Sequence, residues 1–367
     1  MSASIVHFAV CDDACRILSK LSARYVGDSI KKACREYPNY TRLGSIGPDL
    51  PYFAEPVETG LKMFLDIHIP ITPSAYLLHS KRPRAFAVNL FRLIITESEA
   101  LVEEKQANLK LLSFAVGYLT HMATDHVIHP FVNKKAGKYY VSDDNKVRHR
   151  MIEIYHDLHL FKQMYKENAE KEKLDPKKEF MNKDFEAKID IVDESFSRDL
   201  SERFWDTELT FRVLLQRAFL ETYGLEVTEK TVEDWVDGAM LTLSNLNRRV
   251  SPYSRALYKP KKEWLNLAFK FNDVPDPEKF YNPSDPIVEF SRQIWISKQT
   301  HCKEPDSTKL NEHLKGEKNK SLYAQAILKS VKYIKYANEY VTKKDMNALK
   351  NKLPDWDLSD PPENRGK

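Results

Sequence analysis

The sequence predicts an all-α protein, and two features of its 367 residues support that fold class. First, apolar residues recur at helical spacing, as in Val10, Ala14, Ile17, Leu18 and Leu21 near the start of the chain. Second, the chain has only 10 glycines and no stretch in which Val, Ile or Thr alternates with polar residues, the pattern of a half-buried strand. A chain of this length can bury a large core, so we expect a multi-helix domain without a sheet.

The first hundred residues predict several helices with one loop between them. Residues 4–36 have the apolar periodicity of one or two helices. Residues 41–52 contain two glycines and two prolines, which predict a loop. Residues 55–69 predict a short helix, and residues 75–99 a longer one in which Pro83 is either a kink or the true first turn.

The next part of the chain predicts two long helices joined by a polar segment. Residues 107–129 are so apolar that most of the helix circumference should be buried, and Pro130 is expected to end this helix. Residues 134–147 are polar, and a Tyr-Tyr-Val sequence within them predicts a small hairpin. Residues 148–165 are again helical in pattern.

These patterns predict one domain made of a core and later additions. We expect residues 1–165 to form a helical core, 166–195 a charged excursion, 196–350 further helices that complete the same domain, and 351–367 a loose tail. The helical patterns of the third segment lie at residues 204–219, 232–246, 286–300 and 321–341.

Composition narrows the choice of function. The net charge is +4 from 57 basic and 53 acidic residues, too balanced to indicate a nucleic-acid-binding protein. We find no secretory signal and no run of 18 apolar residues, so we expect a cytoplasmic protein without a transmembrane segment. The four cysteines show no disulfide framework. Cys11 and Cys15, one helical turn apart beside His7, leave a Cys/His metal site open, although no CxxC spacing supports it.

Three polar side chains stand out on the apolar helix of residues 107–129. His121, Asp125 and His129 follow one another at four-residue steps, so at about 100° per residue they fan across one face. A carboxylate and two imidazoles on a buried face are costly unless they are paired or bind a metal ion. The pattern therefore predicts a metal site, with a hydrogen-bonded Asp–His network without metal as the alternative.

Further candidate ligands lie on both sides of this cluster. His149 and Glu153 form a second pair at four-residue spacing, and His7, Asp49 and His79 occur where a packed fold seldom places polar groups. Imidazole and carboxylate ligands suit zinc, although iron or manganese could replace it. Together the candidates exceed what one tetrahedral ion can use, which predicts more than one metal ion. Two or three zinc ions bridged by hydroxide are a device for hydrolysing phosphate esters.

Five motifs, in order, resemble those of the zinc-dependent phospholipase C family, whose relatives include fungal single-strand nucleases and GPI-specific phospholipase D. They are Val6-His-Phe-Ala9, Leu43-Gly-Ser-Ile-Gly-Pro-Asp-Leu-Pro-Tyr52, Leu78-His-Ser-Lys81, Gly117-Tyr-Leu-Thr-His-Met-Ala-Thr-Asp-His-Val-Ile-His-Pro130 and His149-Arg-Met-Ile-Glu153. The resemblance fades after residue 165. It implies a phospholipase C-like or nuclease-like helical domain with a metal cleft.

The resemblance also implies roles for the candidate residues. One zinc ion would be held by His79, His121 and Asp125, with Asp49 beside it as ligand or general base. Asp125 would also bridge to a second zinc ion that His7 binds. A water molecule between these two ions would attack without a protein nucleophile, and Asp49 and Asp125 would be the catalytic residues.

A third zinc ion would take His129, His149 and Glu153, so the resemblance implies two to three zinc ions in all. Secreted relatives use the amino group of an N-terminal tryptophan on the zinc ion shared with the first histidine. This chain instead has six residues before His7, and Asp12 or a water molecule is the expected replacement.

The implied activity is hydrolysis of a phosphate ester, in a phospholipid or a small soluble organophosphate, by a zinc-activated water. Two alternatives stay open: a nuclease for single strands, and a metal-binding helical module that has lost catalysis. An acyl or base pocket could be lined by the aromatic residues of 259–281 or by Trp205, Trp235, Trp264 and Trp295, although burial in the core is the expected role of each tryptophan. The sequence does not indicate an oligomeric state.

Overall fold

The structure, a computed structural model, describes residues 4–54, 72–96, 105–171, 204–247, 276–300, 304–316, 320–343 and 345–362. Every regular element in these ranges is helical, which confirms the all-α prediction. The longer helices are α1 Ser4–Lys20, α2 Asp28–Glu36, α3 Pro38–Ser45, α4 Pro73–Ser80, α5 Pro83–Thr96, α6 Lys105–Ala136, α7 Asp143–Lys171, α8 Phe204–Tyr223, α9 Glu229–Asn247, α10 Pro286–Thr300, α11 Leu322–Lys343 and α12 Met346–Lys352. Shorter helical segments lie at Gly47–Phe53, Pro277–Phe280, Ser307–Lys309 and Leu310–His313.

Helix α6 lies at the centre of the core. All of its residues from 111 to 129 are buried, and it contacts α1, α2, α3, α5, α7 and α11. The prediction that most of its circumference is covered is confirmed. Polar side chains on this stretch therefore face other protein groups and not bulk water.

Pro130 does not end α6, so that prediction was wrong. The helix continues to Ala136 and stops at Gly137, which has a φ of +84°. Val132 and Ala136 are buried. The packing of these buried residues offsets the loss of the one backbone hydrogen bond that Pro130 cannot donate.

Residues 41–52 are helical and not a loop, which corrects a second prediction. Helix α3 extends to Ser45, and Gly47–Phe53 is a 3₁₀ helix. The glycines and prolines that predicted the loop are mostly buried here, within short helices packed against α6.

Two of the glycines serve close packing between α3 and α6. A Cβ atom on Gly44 would lie 2.0 Å from the carbonyl oxygen of Phe114, and one on Gly117 would lie 1.9 Å from that of Thr41. No side chain fits in either place, so glycine lets the two helix backbones touch. This contact brings the C-terminal end of α3 to the polar face of α6.

Other predictions divide between confirmed and wrong. Residues 4–36 do form two helices, and Pro83 is the first residue of α5, one of its two predicted roles. The hairpin predicted within 134–147 is replaced by the end of α6, a turn and the start of α7.

None of the described helices is long and apolar enough to cross a membrane. Outside the described residues lie 55–69, 172–203 and 248–275, so the division of the chain into segments stays a prediction.

The prediction of a loose tail was wrong for residues 353–359. Leu353, Leu358 and Ser359 are buried, and the N–H of Leu358 donates to the carbonyl oxygen of His79 at 2.8 Å. The two buried leucines and this main-chain hydrogen bond hold the segment against the core. The C-terminal segment therefore reaches the region where the candidate ligands lie.

Candidate metal centre

The eight residues predicted as ligands come together in one buried cluster. Each of them is at most 7% exposed. They are His7 on α1, Asp49 on the 3₁₀ helix, His79 on α4, His121, Asp125 and His129 on α6, and His149 and Glu153 on α7. His7 lies within the first helix, α1.

Asp125 lies at the centre of the cluster. Its Oδ1 atom is 3.4 Å from Nε2 of His7 and 3.4 Å from Nε2 of His129. Its Oδ2 atom is 2.9 Å from Nε2 of His121. One carboxylate thus contacts three imidazoles, in agreement with the fan of side chains predicted for this face of α6.

Two further carboxylates lie beside the remaining imidazoles. Asp49 Oδ1 is 3.2 Å from Nε2 of His79, and Glu153 Oε1 is 3.1 Å from Nε2 of His129 and 3.3 Å from Nε2 of His149. Three groups therefore have ligand atoms within 4.8 Å of one another: Asp49 with His79 and His121, His7 with His121 and Asp125, and His129 with His149 and Glu153.

The spacing and orientation of these atoms fit metal ligands. Two ligands of a tetrahedral zinc ion, bound at about 2.0–2.1 Å, lie about 3.3 Å apart, close to the distances in the cluster. His121 Nε2 and Asp125 Oδ2 lie 2.9 Å apart, but no hydrogen bond of good geometry joins these two buried atoms. A metal-free network would leave this buried pair poorly hydrogen-bonded, which is costly. The residues fit a metal centre better.

Most of the imidazoles are oriented by hydrogen bonds on the side facing away from the cluster. The Nδ1–H of His79 donates to Ala75 O at 2.8 Å, and that of His121 donates to Ser45 O at 2.9 Å. The Nδ1–H of His129 donates to Leu358 O, and that of His149 donates to Asn133 Oδ1 at 3.1 Å. Each such bond fixes the ring so that Nε2 faces the cluster as a ligand. The Ser45 contact depends on the glycine-mediated approach of α3 to α6.

His7 is oriented differently. Its Nδ1 atom is buried without a hydrogen-bond partner in the part of the chain that the structure describes. The ring instead stacks on that of His121, with 4.1 Å between the ring centroids. The start of α1 is fixed by Asp157 of α7, whose carboxylate accepts from the N–H groups of Ile5 at 3.2 Å and Val6 at 2.8 Å. His7 is thus positioned through its helix more than through its ring.

The surroundings shift the pKa values of His7 and His129 in opposite directions. Burial lowers the pKa of His7 to about 4, which keeps this ring neutral at neutral pH. Burial also disfavours a charged His129, but the carboxylates of Asp125 and Glu153 outweigh it and raise the pKa of His129 to about 10. Without metal, a positive charge therefore resides on His129.

The two predicted alternatives for ligands are not supported. Cys11 donates to Thr41 O at 3.6 Å, and the metal-ligand groups found among the described residues contain no cysteine. The carboxylate of Asp12 accepts from Arg42, from Nε at 3.0 Å and from Nη2 at 2.8 Å. Asp12 is therefore engaged in an ion pair and is not a ligand in the cluster.

A cavity opens onto the cluster, and sequence reasoning missed part of its wall. Besides six of the eight candidate ligands, it is lined by Tyr52, Tyr139, Tyr140, Arg150 and Ser359. Tyr52 and Arg150 lie within two of the five motifs that resemble the family, but no spacing rule distinguishes a wall residue from a core residue. The others reach the cavity through tertiary packing.

The alternative that tryptophans line the pocket is not supported for the tryptophan side chains that the structure describes. Neither Trp235 nor Trp295 lines the cavity. Trp235 instead packs in the core against Phe219, with ring centroids 5.5 Å apart. The side chains of Trp205 and Trp264 lie outside the described residues.

Comparison with known proteins gives one kind of match. Residues 6–199, more than half of the chain, match the family model described as zinc-dependent phospholipase C. Comparisons with curated proteins and with solved structures give no match. The matched region includes all eight candidate ligands and extends past residue 165, where the resemblance of the motifs fades.

Proposed function

The chain belongs to the zinc-dependent phospholipase C family, and from this premise we propose that it is a zinc-dependent hydrolase of phosphate esters. The observation that carries the proposal is that three groups of imidazole and carboxylate ligands meet beside one cavity. A phosphate ester in that cavity would lie against several ligand groups at once. The substrate we propose is a phospholipid or a small soluble organophosphate.

The ligand groups would hold two to three zinc ions, and His121, which two of the groups share, would bind only one of these ions, through Nε2, because its Nδ1–H donates to Ser45 O. Bound zinc supplies a Lewis acid that polarises a phosphoryl oxygen and lowers the pKa of a water molecule. Asp125 would connect the ligand groups, because its two carboxylate oxygens contact His7, His121 and His129. Burial disfavours its charge, but His121 and His129 keep the pKa of this carboxyl below its usual range.

Asp49 is the carboxylate that we assign to both ligand binding and proton transfer. Burial would raise its pKa, but His121 and His79 outweigh that effect and lower the pKa to about 2. Asp49 is therefore ionised at neutral pH, and it lines the cavity. An ionised carboxylate in that position can bind an ion and can accept a proton from an attacking water at its carboxylate oxygen.

Metal content and hydrolysis test the proposal together. We expect two to three zinc ions per chain after titration, and hydrolysis of bis-p-nitrophenyl phosphate that Asp49→Asn abolishes. Asp12→Asn is the matched control, since Asp12 pairs with Arg42 and leaves the cluster intact. Less than one zinc ion per chain would overturn the multi-zinc centre. Full zinc content without hydrolysis of a phosphate ester would favour a metal-binding module that has lost catalysis.

A further inference from the structure

We propose that Arg150 selects the substrate of this site, by binding phosphate esters that carry no cationic group and by disfavouring quaternary ammonium head groups. The inference rests on the proposed hydrolase function and concerns the same cavity. The positive charge of this one arginine in the cavity wall would determine which phosphate esters bind.

Arg150 is a buried charge beside the metal-ligand cluster. It follows His149 on α7, is 3% exposed and lines the cavity together with the ligands. Its Nε–H donates to the hydroxyl of Tyr139 at 2.7 Å. A guanidinium stays protonated at any physiological pH, so its positive charge is a fixed feature of the cavity wall.

Tyrosine rings surround this guanidinium. Its central carbon lies 5.4 Å from the ring centroid of Tyr52 and 5.6 Å from that of Tyr139. The hydroxyls of Tyr52 and Tyr140 are 2.9 Å apart, and the rings of Tyr139 and Tyr140 meet edge to face at 4.8 Å. The three tyrosines therefore form a connected wall in which the arginine has a defined position.

The same arrangement determines which ligands the wall can accept. Aromatic faces are the groups that bind quaternary ammonium ions in proteins. Here one face of Tyr52 and one face of Tyr139 already contact an internal cation, and the positive charge of Arg150 would repel a second cation nearby. Phosphate oxygens, in contrast, are good acceptors for a guanidinium. The wall thus favours esters whose other substituent is neutral or anionic.

A purely structural role for Arg150 is the competing explanation, and substrate charge separates the two. Bis-p-nitrophenyl phosphate and p-nitrophenyl phosphorylcholine release the same leaving group, and only the second carries a quaternary ammonium. We expect the ratio of their kcat/KM values to fall roughly tenfold or more in Arg150→Met, which keeps apolar packing against the tyrosines but removes the charge. Arg150→Lys should retain most of the ratio.

Arg148→Gln is the matched control. Arg148 lies two residues before Arg150 on the same helix, donates hydrogen bonds to Ala136 O and Asn145 Oδ1, and does not line the cavity. Its substitution should leave the ratio unchanged. Equal ratios in wild-type protein and Arg150→Met, with equal zinc content, would overturn the proposal, because a structural role would reduce both rates alike.

A binding measurement tests Arg150 without relying on catalysis. Calorimetry on the zinc-loaded wild-type protein should give tighter binding of glycerol 3-phosphate than of phosphocholine, and Arg150→Met should weaken inorganic phosphate binding roughly tenfold. Phosphocholine that binds as tightly as glycerol 3-phosphate would overturn the inference even if no variant folds. If the zinc-loaded protein hydrolyses neither chromogenic ester, the hydrolase proposal fails, and these affinities alone decide the role of Arg150.

Discussion

The two ends of the metal-ligand cluster are built differently, although each places an imidazole 3.4 Å from the same oxygen of Asp125. At one end, His129 donates from Nδ1 to the carbonyl oxygen of Leu358 and faces Glu153 with Nε2. At the other end, the Nδ1 atom of His7 has no hydrogen-bond partner among the described residues. The ring of His129 is oriented by hydrogen bonds before any ion binds, whereas the ring of His7 is held only by its helix and by stacking on His121.

This difference predicts an order of zinc affinity. Partners behind a ligand typically change metal affinity by about 10–100-fold. The group of His129, His149 and Glu153 has two such partners, Leu358 O and Asn133 Oδ1. The group of Asp49, His79 and His121 also has two, Ala75 O and Ser45 O, but its carboxylate lies 3.8 Å from His121. Because Glu153 lies within 3.3 Å of both imidazoles of its group, the group of His129 should bind the tightest zinc ion. The group that contains His7 should bind the weakest.

The largest effect should come from removing the carboxylate that both ends share. We expect Asp125→Asn to reduce hydrolysis roughly a thousandfold, because Lewis-acid stabilisation contributes several kcal/mol and each loss of about 1.4 kcal/mol slows the reaction tenfold. Zinc content should fall at the same time. Asp12→Asn is the control, and kinetics with bis-p-nitrophenyl phosphate together with metal analysis are the measurements. Full activity in Asp125→Asn would contradict its central position.

Substitutions at the two ends should then have unequal effects on the tightest zinc ion. Glu153→Gln removes a carboxylate within 3.1 Å of His129 Nε2 and 3.3 Å of His149 Nε2. Because loss of a partner behind a ligand alone costs about 10–100-fold, loss of this ligand should weaken the first zinc equivalent by at least that much. His7→Asn should leave that first equivalent unchanged and remove a weaker one. Competition titration with a zinc chelator measures both constants. A loss of the tightest site in His7→Asn would reverse the proposed order.

The sequence predicted those parts of the site that depend on one helix. His121, Asp125 and His129, and likewise His149 and Glu153, lie together because four-residue spacing on a helix is a local property. The approach of α1 and α4 to α6 is not local, and only the resemblance to a family connected their histidines with the others.

The errors share a physical cause, which is that the function of a residue depended on a partner distant in sequence. Gly44 was interpreted as part of a loop, but its lack of a side chain serves contact with α6. Pro130 was expected to end a helix that tertiary packing continues. Leu358 supports His129 through a main-chain oxygen, and a main-chain contact of this kind has no signature in the side-chain sequence.

A milder substitution should leave His149, like His7, without a hydrogen-bond acceptor for its Nδ1–H. Asn133 accepts from Nδ1 of His149 at 3.1 Å, and Asn133→Ala removes that acceptor while keeping all ligands. We expect the tightest zinc ion to bind roughly tenfold more weakly, measured by the same chelator competition. Asn133→Asp retains an acceptor oxygen at this position and should stay within a few-fold of the wild-type affinity. An unchanged affinity in Asn133→Ala would show that this hydrogen bond does not orient the ligand.

The smallest expected signal is a proton count that distinguishes the two ends by charge. Asp125 and Glu153 raise the pKa of His129 to about 10 against the effect of burial, so this ring is protonated at pH 8 in the metal-free protein. Zinc binds only the neutral imidazole, so the first zinc equivalent should release about one proton, and its affinity should increase with pH up to about pH 10. Burial keeps the pKa of His7 at about 4, so that ring has no proton to lose at pH 8, and His7→Asn should leave the count unchanged. Titration in weakly buffered solution with a pH indicator measures the release, and a first equivalent that releases no proton would place the tightest zinc ion away from His129.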